Sequence, residues 1–204
     1  MVYSSAAVPL WNIGAEPGTT DPRQAADVVG RNLDIPVGGE LGHVGVYDGG
    51  GQVVEADDGF SNAVRIVTLN QFKSTTHNYW GYASANIPSG SSIKGCYQVY
   101  CYTDAAFQQF EMRVAIARAA YAANLIGASY TFSAQWSPTR WGNGISQPVR
   151  GVFRCDTFVL WALSAPPYLT PTPVRTKWKS FIQDWLNTGA KTPTLVFNGL
   201  KSYQ

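Results

Sequence analysis

Two short segments of this chain carry residue types that can share a proton and attack a carbonyl. The first is Leu41-Gly42-His43-Val44-Gly45-Val46-Tyr47, followed after Asp48-Gly49-Gly50-Gly51 by Gln52-Val53-Val54-Glu55-Ala56. Alternating faces put His43, Gly45 and Tyr47 on one side of a strand and Val44 and Val46 on the other. If Tyr47 pairs with Val53, His43 lies opposite Asp57 and diagonal to Glu55; a register shifted by two residues puts Glu55 directly opposite. In both cases Glu55 shares the histidine's face, since diagonal neighbours are roughly 7–8 Å apart. An imidazole beside a carboxylate, with glycines leaving room, is what an oriented general base requires. Asp57 and Asp58 compete for the carboxylate position, but Asp58 faces the wrong way and Asp57 sits closer to the turn at Gly59.

The second segment is Phe153-Arg154-Cys155-Asp156-Thr157-Phe158-Val159. A cysteine in the first turn of a buried helix feels unpaired N–H groups and the positive end of the helix dipole, which favour thiolate, the nucleophilic form. Each element alone has an ordinary structural reading: a packed strand histidine, and a small buried cysteine filling the core. His77, beside Asn78-Tyr79-Trp80 with no acidic neighbour, is read as structural.

The elements that must position these residues follow from pattern. Thr20 or Asp21 could cap a short helix through Ala25, Ala26 and Val29, with Pro22 in its first turn. Strands are expected at 33–37, 43–47, 52–56, 64–69, 78–83 and 96–102, with Asp48 to Gly51 as the clearest hairpin turn. Phe107, Phe110, Val114, Ala117, Tyr121 and Leu125 fall at helical spacing, capped by Asp104 and stopped at Gly127. Residues 128–151 lack periodicity and read as a long functional loop. Cys155 to Leu163 reads as a helix buried on nearly every side, and Trp178 to Leu186 as an amphipathic one stopped near Gly189. The inventory is an α+β domain, a β-meander of five to six strands packed against helices.

Taken together, the two segments resemble the circularly permuted NlpC/P60 proteins, including the YiiX-like hydrolases and the lecithin:retinol acyltransferase-like group. The hairpin is similar to their histidine hairpin, and Cys155-Asp156-Thr157-Phe158-Val159 to their nucleophile helix. In ordinary NlpC/P60 enzymes cysteine precedes histidine; here His43 comes first, the permuted order. The resemblance covers about residues 31–165 and leaves a C-terminal helical extension over 170–204, all within a single domain, 1–204. It implies a papain-like fold with Cys155 as nucleophile, His43 as base and Glu55 orienting the imidazole. The oxyanion donors would be the Cys155 backbone N–H and a neighbouring hydroxyl such as that of Tyr130.

Composition narrows the function classes. Hydrophobic residues make up 45% and charged residues 14%, which excludes a disordered chain. Fifteen Lys and Arg against 13 Asp and Glu give a net charge of +2, no argument for nucleic acid. No apolar run is long enough to span a membrane, and Met1 to Trp11 lacks the basic, long apolar pattern of a secretory leader. Cys96, Cys101 and Cys155 make no disulfide framework, and no Cys/His cluster suggests zinc; no cofactor or metal is expected. On one extended strand Cys96 and Cys101 would lie about 16 Å apart, bridgeable only if the chain turns sharply between them.

The resemblance implies amide hydrolysis, with peptide stems of bacterial peptidoglycan as the leading substrate. Trp136, Pro138 and Trp141 would wall the substrate groove, though the two tryptophans could equally plug the core. With no wall-binding repeat and no leader, the expected setting is a monomeric toxin-type effector, made in the cytoplasm and exported by a dedicated machine, with an immunity or delivery partner. The other enzyme class the resemblance supports is acyl transfer, or thioester or lipid hydrolysis, through an acyl-cysteine. A binding module with a relict site is the non-enzymatic alternative, disfavoured by Cys, His and Glu occurring together.

Overall fold

The computed structural model describes residues 18–33, 41–74, 78–84, 95–97, 100–102, 127–132, 150–163 and 192–201. Within them a five-stranded antiparallel sheet carries the molecule: β1 (Val28–Leu33), β2 (Leu41–Tyr47), β3 (Gln52–Ala56), β4 (Val64–Thr68) and β5 (Tyr79–Ala83), in the order β4-β3-β2-β1-β5. The first four strands form a meander, but β5 returns to lie beside β1 instead of continuing past β4. A short helix, α1 (Leu69–Ser74), makes that return, and the apolar spacing had given no sign of it. Among the described residues the architecture is α+β with few helices.

The β2–β3 hairpin is closed by Asp48, whose carboxylate accepts from the Gly50 and Gln52 N–H groups at 2.7 and 2.8 Å. Gly49 and Gly51 both take positive φ there, as a tight turn demands. The helix expected through Ala25, Ala26 and Val29 does not form. Ala26 sits at φ 70°, outside helical space, and Val28 and Val29 already belong to β1. Buried Asp27 stabilises the turn: its carboxylate accepts from the Arg23 and Gln24 N–H groups and from Ser84 Oγ. Of the expected strand at 33–37 only Leu33 is described, as the last residue of β1; residues 34–40 lie outside the described part. So do the expected helices over 104–125 and 178–186.

The single strand expected over 96–102 is instead a hairpin of β6 (Gly95–Tyr97) and β7 (Tyr100–Tyr102), with Cys96 and Cys101 as register partners. Part of the segment read as an aperiodic loop is ordered too, because β8 (Ser129–Tyr130) pairs in parallel with β9 (Val152–Phe153).

Helix α2 (Cys155–Leu163) follows β9 directly, and every one of its residues is buried. It packs with Val28, Val44, Val46, Val54 and Val64 and with Val196, Phe197 and Leu200 of α3 (Pro193–Lys201), forming the main core. At the centre of that core the Trp80 indole lies across Gly30 of β1 and Gly42 of β2; a Cβ at either position would collide with the ring. Its Nε1–H donates to Asn32 Oδ1 at 2.6 Å, which satisfies the one polar atom of a fully buried side chain. A smaller cluster of Val29, Val53 and Phe72 covers the other face. No helix among the described residues is long and apolar enough to cross a membrane.

Candidate active site

His43 lies in mid-sheet on β2, completely buried, its ring 5.8 Å from that of Phe72 on α1. The hairpin register pairs Tyr47 with Val53 and Gly45 with Glu55. Glu55 is therefore diagonal to His43, on the same face, and Gly45 leaves the space through which its side chain leans. The contact that results is short: His43 Nε2–H donates to Glu55 Oε2 at 2.8 Å. Asp57 does not take this place. It binds Arg65 instead, so the carboxylate chosen from strand alternation is the one that reaches the imidazole.

Glu55 is nearly inaccessible, and a lone buried carboxylate would be driven towards its neutral form. Burial does push its pKa up, but the His43 hydrogen bond and charge, then Arg65 and Arg31, more than offset this and hold it below its ordinary value. Arg65 on β4 is the register partner of Glu55 and donates from Nε to Oε1 at 2.8 Å, while its Nη2 bridges to Asp57 Oδ2 at 2.5 Å. Arg31 on β1 is the register partner of His43, and its Nη2 lies 3.7 Å from Glu55 Oε2. Neither arginine emerged as a candidate from local pattern. The available signal was a cation at an inward position of an otherwise apolar strand, Val28-Val29-Gly30-Arg31 and Val64-Arg65-Ile66-Val67.

An ionised Glu55 can only accept, so Nε2 carries a proton and Nδ1 is the nitrogen left for other work. Nδ1 is buried and makes no hydrogen bond of good geometry. The group that acts on the ring besides Glu55 is Cys155. Burial disfavours the imidazolium, yet the influence of Cys155 first, then the hydrogen bond and charge of Glu55, raise His43 from 6.5 to about 9.

Cys155 is the first residue of α2, as its sequence context suggested. The helix start is well formed: the Arg154 N–H donates to Thr157 Oγ1 at 2.9 Å, and the Arg154 guanidinium grips Asp156 through Nε and Nη2, both at 2.6 Å. The β8–β9 pairing then brings Tyr130 to the cysteine. Burial first, then the Cys155 charge and hydrogen bond, push the Tyr130 phenol far above its usual range, although the Cys155 backbone N–H bonds the same oxygen. Tyr130 thus stays a protonated donor beside both the sulfur and the first N–H of the helix. Phe132 stacks edge-on against Tyr130, centroids 5.1 Å apart, and is 69% exposed. Trp136 and Trp141 lie outside the described residues, as does His77.

His43, Glu55 and Asp57 also bring three ligand-type atoms within 4.8 Å of one another. Arg65 donates to both carboxylates, so a cation there would have to displace a guanidinium already bound. A line of thiol, imidazole and ionised carboxylate, with two donors beside the sulfur, can form a nucleophile, pass a proton and hold a developing oxyanion. No protein-family model, curated protein or solved structure matches this chain.

Proposed function

We propose that the protein is a cysteine hydrolase of papain-like, permuted NlpC/P60 type, cleaving amide bonds through an acyl-Cys155 intermediate. The observation that carries this reading is the 2.8 Å bond from His43 to a Glu55 kept ionised, with the second ring nitrogen left to a cysteine at a helix start. In the acylation step the Cys155 thiolate adds to the substrate carbonyl carbon, and the negative charge moves to the carbonyl oxygen. Tyr130 Oη–H and the Cys155 N–H, which leaves the Tyr130 oxygen it bonds in the resting site, are the donors for that oxygen. Collapse of the adduct breaks the carbon–nitrogen bond as the His43 imidazolium gives its proton to the leaving amine. His43, now neutral, takes a proton from water, the hydroxide attacks the thioester, and carboxylic acid leaves with Cys155 restored as thiolate. Glu55 holds the imidazole in the tautomer that both steps need.

Peptide stems of bacterial peptidoglycan are the substrate favoured by the family resemblance, and export as an antibacterial effector fits that choice. A second reading is transfer or hydrolysis of a fatty acyl group by the same acyl-cysteine. Its support is Phe132, an exposed apolar ring one side chain away from the thiol's own neighbour.

Purified protein should be incubated with muropeptides and, separately, with phospholipid and acyl-thioester panels, followed by mass spectrometry with Cys155→Ala as control. New free amines from muropeptides, absent in the variant, are expected. Acyl transfer with no amide cleavage would replace the first reading by the second, and no Cys155-dependent product in either arm would count against both.

A further inference from the structure

Four formal charges surround the far side of His43, and they cancel. Glu55 and Asp57 are negative; Arg31 and Arg65 are positive, drawn from β1 and β4 on either side of the β2–β3 hairpin. Arg31 is buried to 4% exposure and its Nε has no partner, an unfavourable placement for a group serving only to pack. Its guanidinium instead lies 4.9 Å over the Phe72 ring that also touches His43. Arg65 is clamped by Glu55 and Asp57 and rests 3.9 Å over Phe60. From the opposite direction the ring meets Cys155 of α2, with Tyr130 beyond the sulfur and the Arg154–Asp156 pair next along the helix.

We propose that Arg31 and Arg65 are positioning residues: they neutralise the Glu55–Asp57 pair and lock Glu55 against His43 Nε2, so that Glu55 holds the imidazole in one orientation. This rests on the triad reading above. Without the two cations, buried Glu55 and half-buried Asp57 would bind the imidazolium strongly and make it a poorer proton donor to a leaving amine. With them, the pull of the two carboxylates is balanced and the imidazolium keeps its strength as a proton donor.

The test is an NMR titration of the His43 imidazole in the full chain, its signals assigned with His77→Gln. The wild-type midpoint is expected near 9. Removing one cation leaves the cluster net negative, so Arg65→Gln should raise the midpoint by about one unit; Glu55→Gln leaves it net positive and should lower it by about as much. The double variant Glu55→Gln/Arg65→Gln should return close to wild type. Arg65→Lys keeps the charge without the planar fork, so it should hold the midpoint while slowing iodoacetamide capture of Cys155. A midpoint that falls or stays fixed in Arg65→Gln overturns the proposal, as does normal capture in Arg65→Lys. Cys155→Ala reports on the underlying triad separately: its midpoint should drop by more than a unit, and no drop would sink the triad and leave the arginine result standing by itself.

Discussion

Glu55 stands opposite Gly45, not opposite His43, and reaches the imidazole along the diagonal of the β2–β3 ladder. The missing side chain at position 45 is what opens that diagonal. A Cβ there would press on Val53 Cγ1, on the Val54 carbonyl at 3.1 Å and on Glu55 Cβ at 3.4 Å. Gly45→Ala should therefore displace the carboxylate and lower turnover about 10- to 100-fold, the scale associated with a misplacement of about 1 Å. The measurement is steady-state turnover on the substrate found by mass spectrometry, with circular dichroism as the folding control. Wild-type rates in Gly45→Ala would show that Glu55 does not depend on this gap.

Cys155→Ala should lose at least about 1,000-fold in turnover, since removing the nucleophile of a triad removes the covalent route altogether. Cys96→Ala and Cys101→Ala should retain most activity. With only 1% of Cys155 exposed, its capture by iodoacetamide should be slower than that of a free thiol, and a bound substrate-like amide should slow it further. Faster capture of either other cysteine, with loss of activity, would move the nucleophile elsewhere.

The His43 proton ties stability to pH. Because its folded value is raised from 6.5 to about 9, the stabilisation is complete below pH 6.5 and drains away as pH climbs to about 9. Glu55 works in the other direction: held below its ordinary 4.5, it stabilises the fold above that pH and ceases to do so under stronger acid. Thermal melts from pH 4 to 10 should show both flanks, and Cys155→Ala should flatten the alkaline one. A flank unchanged by that substitution would mean the cysteine is not what holds the proton.

Why the hairpin could be read in advance and its supports could not is a matter of range. Asp48-Gly49-Gly50-Gly51 between the two strands leaves registers that differ by two residues, and either one puts Glu55 on the histidine's face. Cys155 was legible because an apolar run ending in a double proline has only one end at which to begin a helix. By contrast, Arg31 and Arg65 meet Glu55 only through strand pairings that no local pattern encodes. Ala26 takes a positive φ that its residue type argues against, its position set by the contacts of Asp27. Gln98-Val99, the pair between β6 and β7, carries no turn signature, so Cys96 to Tyr102 read as one strand.

That hairpin makes a chemical prediction of its own. Opposed residues on antiparallel strands have Cα atoms about 4.5 or 5.5 Å apart, and both spacings fall inside the range a disulfide accepts. Cys96 and Cys101 are such a pair. Incubation of the full chain with oxidised glutathione should exchange two thiols for one intramolecular disulfide, releasing two molecules of reduced glutathione and lowering the protein mass by two hydrogens. Cys96→Ser should leave a mixed disulfide instead. Two freely alkylated thiols after oxidation would rule the pair out.

The cradle around Trp80 binds three strands into one decision about volume. Gly30 on β1 and Gly42 on β2 are bare because the indole of β5 occupies the space their side chains would need, and Gly42 is the residue that delivers the chain to His43. In divergent sequences of this lineage, positions 30, 42 and 80 should therefore change as a set. A chain that carries a small residue at 80 is free to acquire side chains at the two glycines, whereas one that keeps tryptophan is not. The inheritance of a bulky ring on β5 would then track the inheritance of the histidine's backbone position on β2.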